Sequence, residues 1–192
     1  NLTGCSNLSG GLSGKRLEIF HEAFPSVRKM ATFYNPSNSL SLIAIADAKK
    51  AAANTGVELI ENQVKDTEEL ISTLKELKGD EAVQGVYIIP DAFVVSNIEI
   101  VIAKANELGI PMIGHEETLA EKGVTLTYGA SFFKLGNQCA GVMDLVLKGR
   151  SPKNIPIQYP EKFEIVINQK SLDGLKLSPS PSVIGRSDRI IR

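Results

Sequence analysis

The stretch from Gly85 to Asn97, GVYIIPDAFVVSN, changes from a strand pattern to a helical pattern, and this change indicates the fold class. Val86 to Ile89 form an unbroken β-favouring apolar run, typical of a strand covered on both faces in a parallel sheet. Pro90 has no N–H to donate, so the backbone leaves the sheet there and Asp91 follows at the carboxyl end of the strand. Open α/β sheets bind ligands at this end. Helical spacing of apolar residues begins at Ile98, so the stretch predicts a strand, an acidic loop and a helix.

Composition excludes several classes of protein. The chain has 192 residues, a net charge of −1 and 43% apolar residues, which suits one globular domain or two small lobes. Without a basic stripe or an acidic block, neither nucleic acid nor an anionic membrane is expected as a partner. No apolar run reaches the length of a membrane span. Cys5 and Cys139 are too few for a disulfide framework and lack zinc-site spacing.

Strand and helix patterns alternate along the chain, which predicts an α/β fold with a doubly wound parallel sheet. Further strands are expected at Met30–Tyr34, Val57–Val64 (near an edge), Pro111–Gly114, Val124–Tyr128 and Phe163–Asn168. In the helix after the first of these strands, the predicted core positions are Leu42, Ile43, Ile45 and Ala46. In the helix near 131–149, the predicted buried positions are Leu135, Cys139, Val142, Met143 and Val146, so Cys139 is interpreted as a core cysteine.

Two loops at predicted strand ends carry candidate binding groups. Asn35 to Ser39 places N–H groups and hydroxyls at the positive end of the following helix, where a carboxylate is stabilised. The alternative is that these residues only cap the helix. Asp91 is a candidate for an ammonium or hydroxyl group, and its alternative role is to cap the following turn.

The chain lacks the motifs of common catalytic sites. It has no nucleophile elbow, metal cluster, Rossmann glycine fingerprint or coupled Cys/His pair. Its two histidines, His21 and His115, have no partner motif. The sequence therefore argues against an enzyme, and we expect no catalytic residue, cofactor or metal.

A set of short motifs follows a fixed order along nearly the whole chain. They are Asn-Leu-Thr-Gly at 1–4, Gly-Lys-Arg-Leu at 14–17, Tyr-Asn-Pro at 34–36, Pro-Asp at 90–91, Tyr-Gly at 128–129, Leu-Gly at 135–136, Leu-Lys-Gly at 147–149 with Pro152, and Phe-Glu and Ile-Asn at 163–168. With these motifs the chain resembles the bacterial ABC-transporter substrate-binding family that includes tryptophan- and tyrosine-binding proteins.

The resemblance implies a type I periplasmic-binding-protein-like fold, in which two α/β lobes close on a ligand. It also implies that the chain is mainly one lobe, with about a lobe's worth of chain and any signal peptide before Asn1. Residues 1–128 and 161–192 would form the second lobe. Residues 129–160 would return to the largely absent first lobe, and the apolar face of their helix would find a partner by folding back or by forming a homodimer.

Carried over position by position, the resemblance places the cleft loops at 35–39, 90–96, 114–116 and 128–129. Asp91 would hold a ligand ammonium or hydroxyl and the Ser37–Ser39 helix end a carboxylate, with Phe93 as an apolar wall. Pro90 and Ala92-Phe93 stand where amino-acid-binding members often have a threonine and polar residues. The full set of candidate ligand-binding residues is Asn35, Ser37, Ser39, Asp91, Phe93, Ser96, His115, Glu116 and Tyr128.

The expected function is extracytoplasmic capture of a small polar molecule, an amino acid or a related organic compound, for an ABC importer. Its partners would be the ligand and the transporter permease, at the periplasmic or extracellular face of the bacterial membrane. The alternative is a ligand-sensing domain of a signalling receptor or regulator. A transmembrane or DNA-binding segment elsewhere in the protein would distinguish the two.

Overall fold

The fold is built on one seven-stranded sheet. A computed structural model describes residues 1–77 and 83–192. The spacing of Leu70, Leu74 and Leu77 predicts a helix over Thr67–Lys78, and its last residue, Lys78, lies outside the described part. The strand order is β2-β1-β3-β4-β5-β6-β7. The strands are β1 (Lys29–Tyr34), β2 (Glu58–Gln63), β3 (Gly85–Tyr87), β4 (Met112–Gly114), β5 (Leu126–Ala130), β6 (Phe163–Asn168) and β7 (Arg189–Ile191).

The strand directions confirm the predicted doubly wound sheet for β1 to β5, and the last two strands run in the opposite direction. Strands β1 to β5 are parallel to one another, β6 runs antiparallel to β5, and β7 runs parallel to β6. The prediction of an edge position for β2 is also correct. Because the strands from β1 to β5 share one direction, their carboxyl ends meet at one edge of the sheet.

The helices begin and end largely where capping residues predict. Asn38 and Asp66 accept backbone N–H groups at two helix starts, and Gly56 ends a helix in the left-handed region with φ of 69°. The helices are α1 (Ser13–Ala23), α2 (Ser39–Thr55), α3 (Thr67–Glu76), α4 (Ala92–Ser96), α5 (Ile98–Leu108), α6 (Glu117–Lys122), α7 (Phe132–Leu147), α8 (Gln169–Leu175) and α9 (Pro181–Gly185). Short 3-10 helices occupy Gly10–Leu12 and Pro152–Asn154.

Helices cover both faces of the sheet and divide the core into two layers. Met30 and Tyr87 pack with α1, α2, α8 and α9, whereas their chain neighbours Ala31 and Val86 pack with α3, α4, α5 and α6. Successive residues of a strand point to opposite faces, so an unbroken apolar run supplies both layers. This arrangement explains why the Val86–Ile89 run is buried throughout.

The predicted core face of α2 is wrong at three of four positions. Ile45 is buried, but Leu42, Ile43 and Ala46 are exposed. The helix instead packs against α1 through small residues at helical spacing, which allow the two backbones to approach closely. Its buried residues are Ser41, Ala44, Ile45, Ala48, Ala51 and Ala52.

The apolar side of α7 is largely uncovered. Leu135 and Val142 are buried as predicted, but Met143 is exposed. Cys139 is not a free core cysteine, because it forms a disulfide with Cys5. The sequence spacing of 134 residues gave no indication of this pairing, since the fold alone brings the two cysteines together.

None of the helices in the described ranges has the length and apolarity needed to cross a membrane.

Candidate functional site

The candidate site lies at the edge of the sheet where β1, β3, β4 and β5 end. The nine predicted ligand-binding residues all lie at or just after these strand ends: Asn35, Ser37, Asp91, His115 and Glu116 in the connecting segments, Ser39 at the start of α2, Phe93 and Ser96 on α4, and Tyr128 within β5. A hydrogen bond from the Asn35 N–H to the Asp91 carboxylate joins the first two loops directly. It also places the third loop against β5, because His115 lies in close contact with Gly129.

Asp91 joins three parts of this edge. Its side chain is only 2% exposed. One carboxylate oxygen accepts the Asn35 N–H at 2.9 Å and the Ser41 hydroxyl at 2.7 Å, and the other accepts the Val94 N–H at 3.0 Å. Asp91 therefore caps α4 and ties the β1 loop and the first turn of α2 to the end of β3. Contact between Asp91 and a ligand stays a prediction.

The β1 loop is ordered by its own side chains. The Asn35 side-chain oxygen accepts the Ser37 N–H at 2.9 Å, and the Asn38 side-chain oxygen accepts the Leu40 N–H at 3.1 Å. Ser37 and Ser39 are both exposed. Asn38 thus caps α2, while the two serine hydroxyls lie at the positive end of a helix of 17 residues.

Phe93 and Ser96 lie on the short helix α4. Phe93 is half-buried against the core layer of α3 and α5, and the Ser96 hydroxyl donates to the Ala92 carbonyl at 2.8 Å. No contact joins these two side chains to the β1 loop among the hydrogen bonds of the described residues. Contact of Phe93 and Ser96 with a ligand stays a prediction.

His115 and Glu116 follow β4. The Nε2 atom of His115 lies 3.6 Å from a Glu116 carboxylate oxygen, and the other Glu116 oxygen accepts the Thr118 hydroxyl at 2.7 Å. The His115 side chain is buried, and its Nδ1 atom has no hydrogen-bond partner within the described part of the chain. Burial, together with the positive charge of Arg16, lowers the pKa of His115 to about 3, and a hydrogen bond to the Ile88 backbone opposes this shift.

The depressed pKa of His115 predicts a specific pH dependence of stability. The folded state keeps the imidazole neutral, whereas the unfolded chain takes up a proton near the ordinary pKa of 6.5. The contribution of His115 is therefore fully present above pH 6.5 and is lost as pH falls towards 3, by at most about 1.4 kcal/mol per pH unit. Denaturant unfolding between pH 7 and pH 4 should show a shallower decline for His115→Gln than for the unmodified protein. Equal slopes would contradict the neutral, buried imidazole.

Tyr128 lies half-buried near the end of β5. Its ring packs against Phe163 with the ring centroids 6.0 Å apart, and its backbone carbonyl accepts the Arg16 Nε–H at 2.7 Å. The next residue, Gly129, has no room for a side chain, because an added Cβ would lie 2.0 Å from the His115 carbonyl oxygen. β4 and β5 therefore approach closely at the floor of the site.

A buried polar layer beneath the site was missed by sequence reasoning. Arg16 is fully buried, and its guanidinium binds the backbone carbonyls of Ser9 and Tyr128. Nearby, Tyr87 donates its hydroxyl to the Ser13 carbonyl at 2.8 Å. The available signal was the spacing of Arg16 and Phe20, which puts an arginine on the apolar face of α1.

A family model and two curated proteins match most of this chain in sequence. The family model of the ABC transporter substrate binding protein matches residues 1–191. The tyrosine-binding protein of Clostridioides difficile is 30% identical over 167 residues, which is 85% of this chain and 48% of that protein. The chain spans about half the length of the curated relatives it matches.

Solved structures agree with the fold. A conserved domain protein from Vibrio cholerae superimposes with a TM-score of 0.86 at 25% identity, covering 99% of this chain and 63% of that one. An ABC domain from Streptococcus pneumonia in complex with L-Trp gives a TM-score of 0.84 at 22% identity, covering 100% and 65%. The fold is thus that of one lobe of a type I periplasmic binding protein, and the chain belongs to the ABC transporter substrate-binding protein family.

Proposed function

We propose that this chain is the second lobe of an extracytoplasmic solute-binding component of an ABC importer, and that it closes on the ligand together with the first lobe. The captured solute is a small polar molecule, an amino acid or a related organic compound, held between this lobe and the first lobe. The protein then delivers the solute to the transporter permease. The observation that carries the proposal is the convergence of polar loops from β1, β3, β4 and β5 at one edge of the sheet.

The polarity of this edge favours a ligand with both a carboxylate and a hydrogen-bond donor. Ser37 and Ser39 offer hydroxyls and a positive helix end to a carboxylate. Glu116 offers a half-buried carboxylate to an ammonium or hydroxyl group. Asp91 and Asn35 hold the first two loops in register, and Tyr128 and Phe93 add aromatic surface. The binding of tyrosine by the relative from Clostridioides difficile makes amino acids the first compounds to test.

The lobe division of the proposal is supported by the packing of α7. Residues 1–128 and 161–192 form the second lobe, Gly129 and Ala130 stay with it because they pair with β6, and the segment after β5 up to residue 160 returns to the first lobe. Phe133 and Leu147 are 76% and 79% exposed on α7, as expected for a helix whose partner is elsewhere in the protein. We assign that partner to the first lobe, and a homodimer through the same face is the alternative.

The disulfide supports an extracytoplasmic location. Cys5 and Cys139 are bonded to each other, and such bonds persist in oxidising compartments, whereas cytosolic thiols are kept reduced. The periplasmic or extracellular face of the bacterial membrane meets this condition.

The test uses the full-length protein in a thermal-shift and calorimetry screen against L-tyrosine, L-tryptophan, other amino acids and small organic acids. We expect at least one compound to raise the melting temperature. Glu116→Gln, which removes the charge and keeps the shape, should then weaken its binding by about tenfold or more. Ser37→Ala should weaken binding of carboxylate-bearing compounds by a smaller factor.

Glu58→Gln is the matched control, because Glu58 is exposed at the amino end of β2 and pairs with Lys29 at the amino end of β1, at the opposite edge of the sheet from the strand ends. It should leave affinity within about twofold of the unmodified protein. If no compound shifts the melting temperature, solute capture is wrong. If a compound binds equally well to Glu116→Gln and Ser37→Ala, the assigned cleft is wrong.

A further inference from the structure

Arg16 connects two chain segments that are far apart in sequence. Its Nε atom donates to the Tyr128 carbonyl at 2.7 Å, and its Nη1 atom donates to the Ser9 carbonyl at 2.6 Å. A third contact runs from Nη2 to the Ser9 hydroxyl at 3.1 Å. One guanidinium on α1 therefore holds the end of the N-terminal segment and the end of β5 together.

Burying this group has a cost that its contacts must offset. Arg16 is 0% exposed, and its three acceptors are neutral oxygen atoms. Burial lowers the pKa of Arg16, while the Tyr87 hydroxyl and, at longer range, Tyr128 and Asp47 oppose this shift. Because a guanidinium remains charged in proteins, it is stable in such a place only when its N–H groups are satisfied. The geometry of Ser9 and Tyr128 is therefore coupled to the position of Arg16.

The segment before Ser9 and the segment after β5 are bonded to each other outside the sheet. The Ser6 N–H donates to the Gln158 carbonyl at 2.9 Å, and the Gln158 N–H donates to the Gly4 carbonyl at 2.8 Å. Cys5 is bonded to Cys139 on α7. Residues 1–8, α7 and residues 155–159 thus form one connected group, which we call the crossing group. Arg16 binds Ser9 and Tyr128, which lie where residues 1–8 and α7 join the rest of this lobe.

We propose that Arg16 is a positioning residue for ligand capture, which fixes the two points at which residues 1–8 and α7 leave this lobe. The inference rests on the proposed function, because it requires two lobes that open and close around a ligand. With Arg16 in place, bending is confined to the crossing group, and the cleft loops after β4 and β5 keep their shape. Without it, both connections move within the lobe.

The test is hydrogen–deuterium exchange of the full-length protein without ligand, which measures local opening. Arg16→Lys keeps the charge, but a single ammonium cannot reach all three acceptors, and Arg16→Met removes the charge and keeps much of the stem. We expect exchange in residues 4–9 and 126–131 to rise by about tenfold or more in Arg16→Met and by less in Arg16→Lys. Exchange in α3 and α5, which pack on the opposite face of the sheet, should stay unchanged.

Lys104→Met is the matched control. Lys104 is buried on the opposite face of the sheet and bonds Glu107 on its own helix. Its loss should therefore leave exchange in residues 4–9 and 126–131 unchanged. If exchange rises throughout the sheet in both Arg16 variants, Arg16 only supports the fold and the proposal is overturned. Unchanged exchange in residues 4–9 and 126–131 overturns the proposal as well. If Arg16→Met does not fold, Arg16→Lys alone decides between these results.

The exchange result is independent of solute capture. A rise in exchange confined to residues 4–9 and 126–131 supports the positioning role of Arg16 even if no compound in the thermal-shift screen binds. With L-tyrosine as the probe, if it binds, Arg16→Lys should lower affinity, although the side chain is buried below the cleft surface. Unchanged tyrosine affinity would contradict the positioning role while leaving solute capture intact.

Discussion

Gly129→Ala is expected to be among the most destabilising single substitutions in this lobe. The new Cβ would lie 2.0 Å from the backbone carbonyl oxygen of His115, a distance that no side-chain rotation can relieve. β4 and β5 must separate locally, which disturbs the close approach at the floor of the candidate site. We expect a loss of about 3 kcal/mol or more in the free energy of unfolding, measured by denaturant titration of the full-length protein.

Gly174→Ala is the control for this substitution. Gly174 lies on α8 with no atom within 4 Å of an added Cβ, so alanine should raise stability by about 0.5–1 kcal/mol through its higher helix propensity. A Gly129→Ala protein as stable as Gly174→Ala would mean that the β4–β5 approach is looser than the structure shows.

Asp91→Ala should cost nearly as much stability, for a different reason. The substitution removes the acceptor of two N–H groups and one hydroxyl, all of them near a carboxylate that is almost fully buried. Each unsatisfied buried donor costs about 1–3 kcal/mol, so we expect about 3 kcal/mol in total, partly reduced by water entering the space. Circular dichroism during guanidinium unfolding of the full-length protein measures the loss.

Ser41→Ala separates one part of this effect. It removes a single donor and leaves the Asn35 and Val94 bonds to Asp91 intact, so a loss of about 1 kcal/mol is expected. If Asp91→Ala cost no more than Ser41→Ala, the bonds to the Asn35 loop and α4 would contribute little. Asp91 would then be free to serve mainly as a ligand contact.

The positions of the predicted site residues follow from strand order. The sequence predicted four loops at strand ends, and parallel strands bring such loops to one edge of a sheet. The contact between the first two loops depends on β1 and β3 being neighbours. Sequence alone could not establish that neighbourhood, because β2 lies between them in the chain but pairs on the other side of β1.

The errors on α2 and α7 have a common physical cause. A helical pattern shows which residues can share a face, but the partner decides which face is buried. On α2, the small residues face α1 and leave Leu42 and Ile43 exposed. On α7, the apolar face has few partners in this lobe, so Met143 is exposed. Short elements such as α8 and β7 were not predicted, since their patterns are too brief to be distinctive.

The doubly wound α/β fold, the family resemblance and the loops that carry the candidate site could be predicted from the sequence, because they depend on local periodicity, capping and short motifs. The groups that those loops and helices contact depend on how the whole chain packs. The Cys5–Cys139 bond, the bond from Arg16 to Tyr128 and the bonds from Asn35 and Ser41 to Asp91 each join residues from separate parts of the chain. Such pairings depend on how strands and helices pack in space, and no local pattern in the sequence records them.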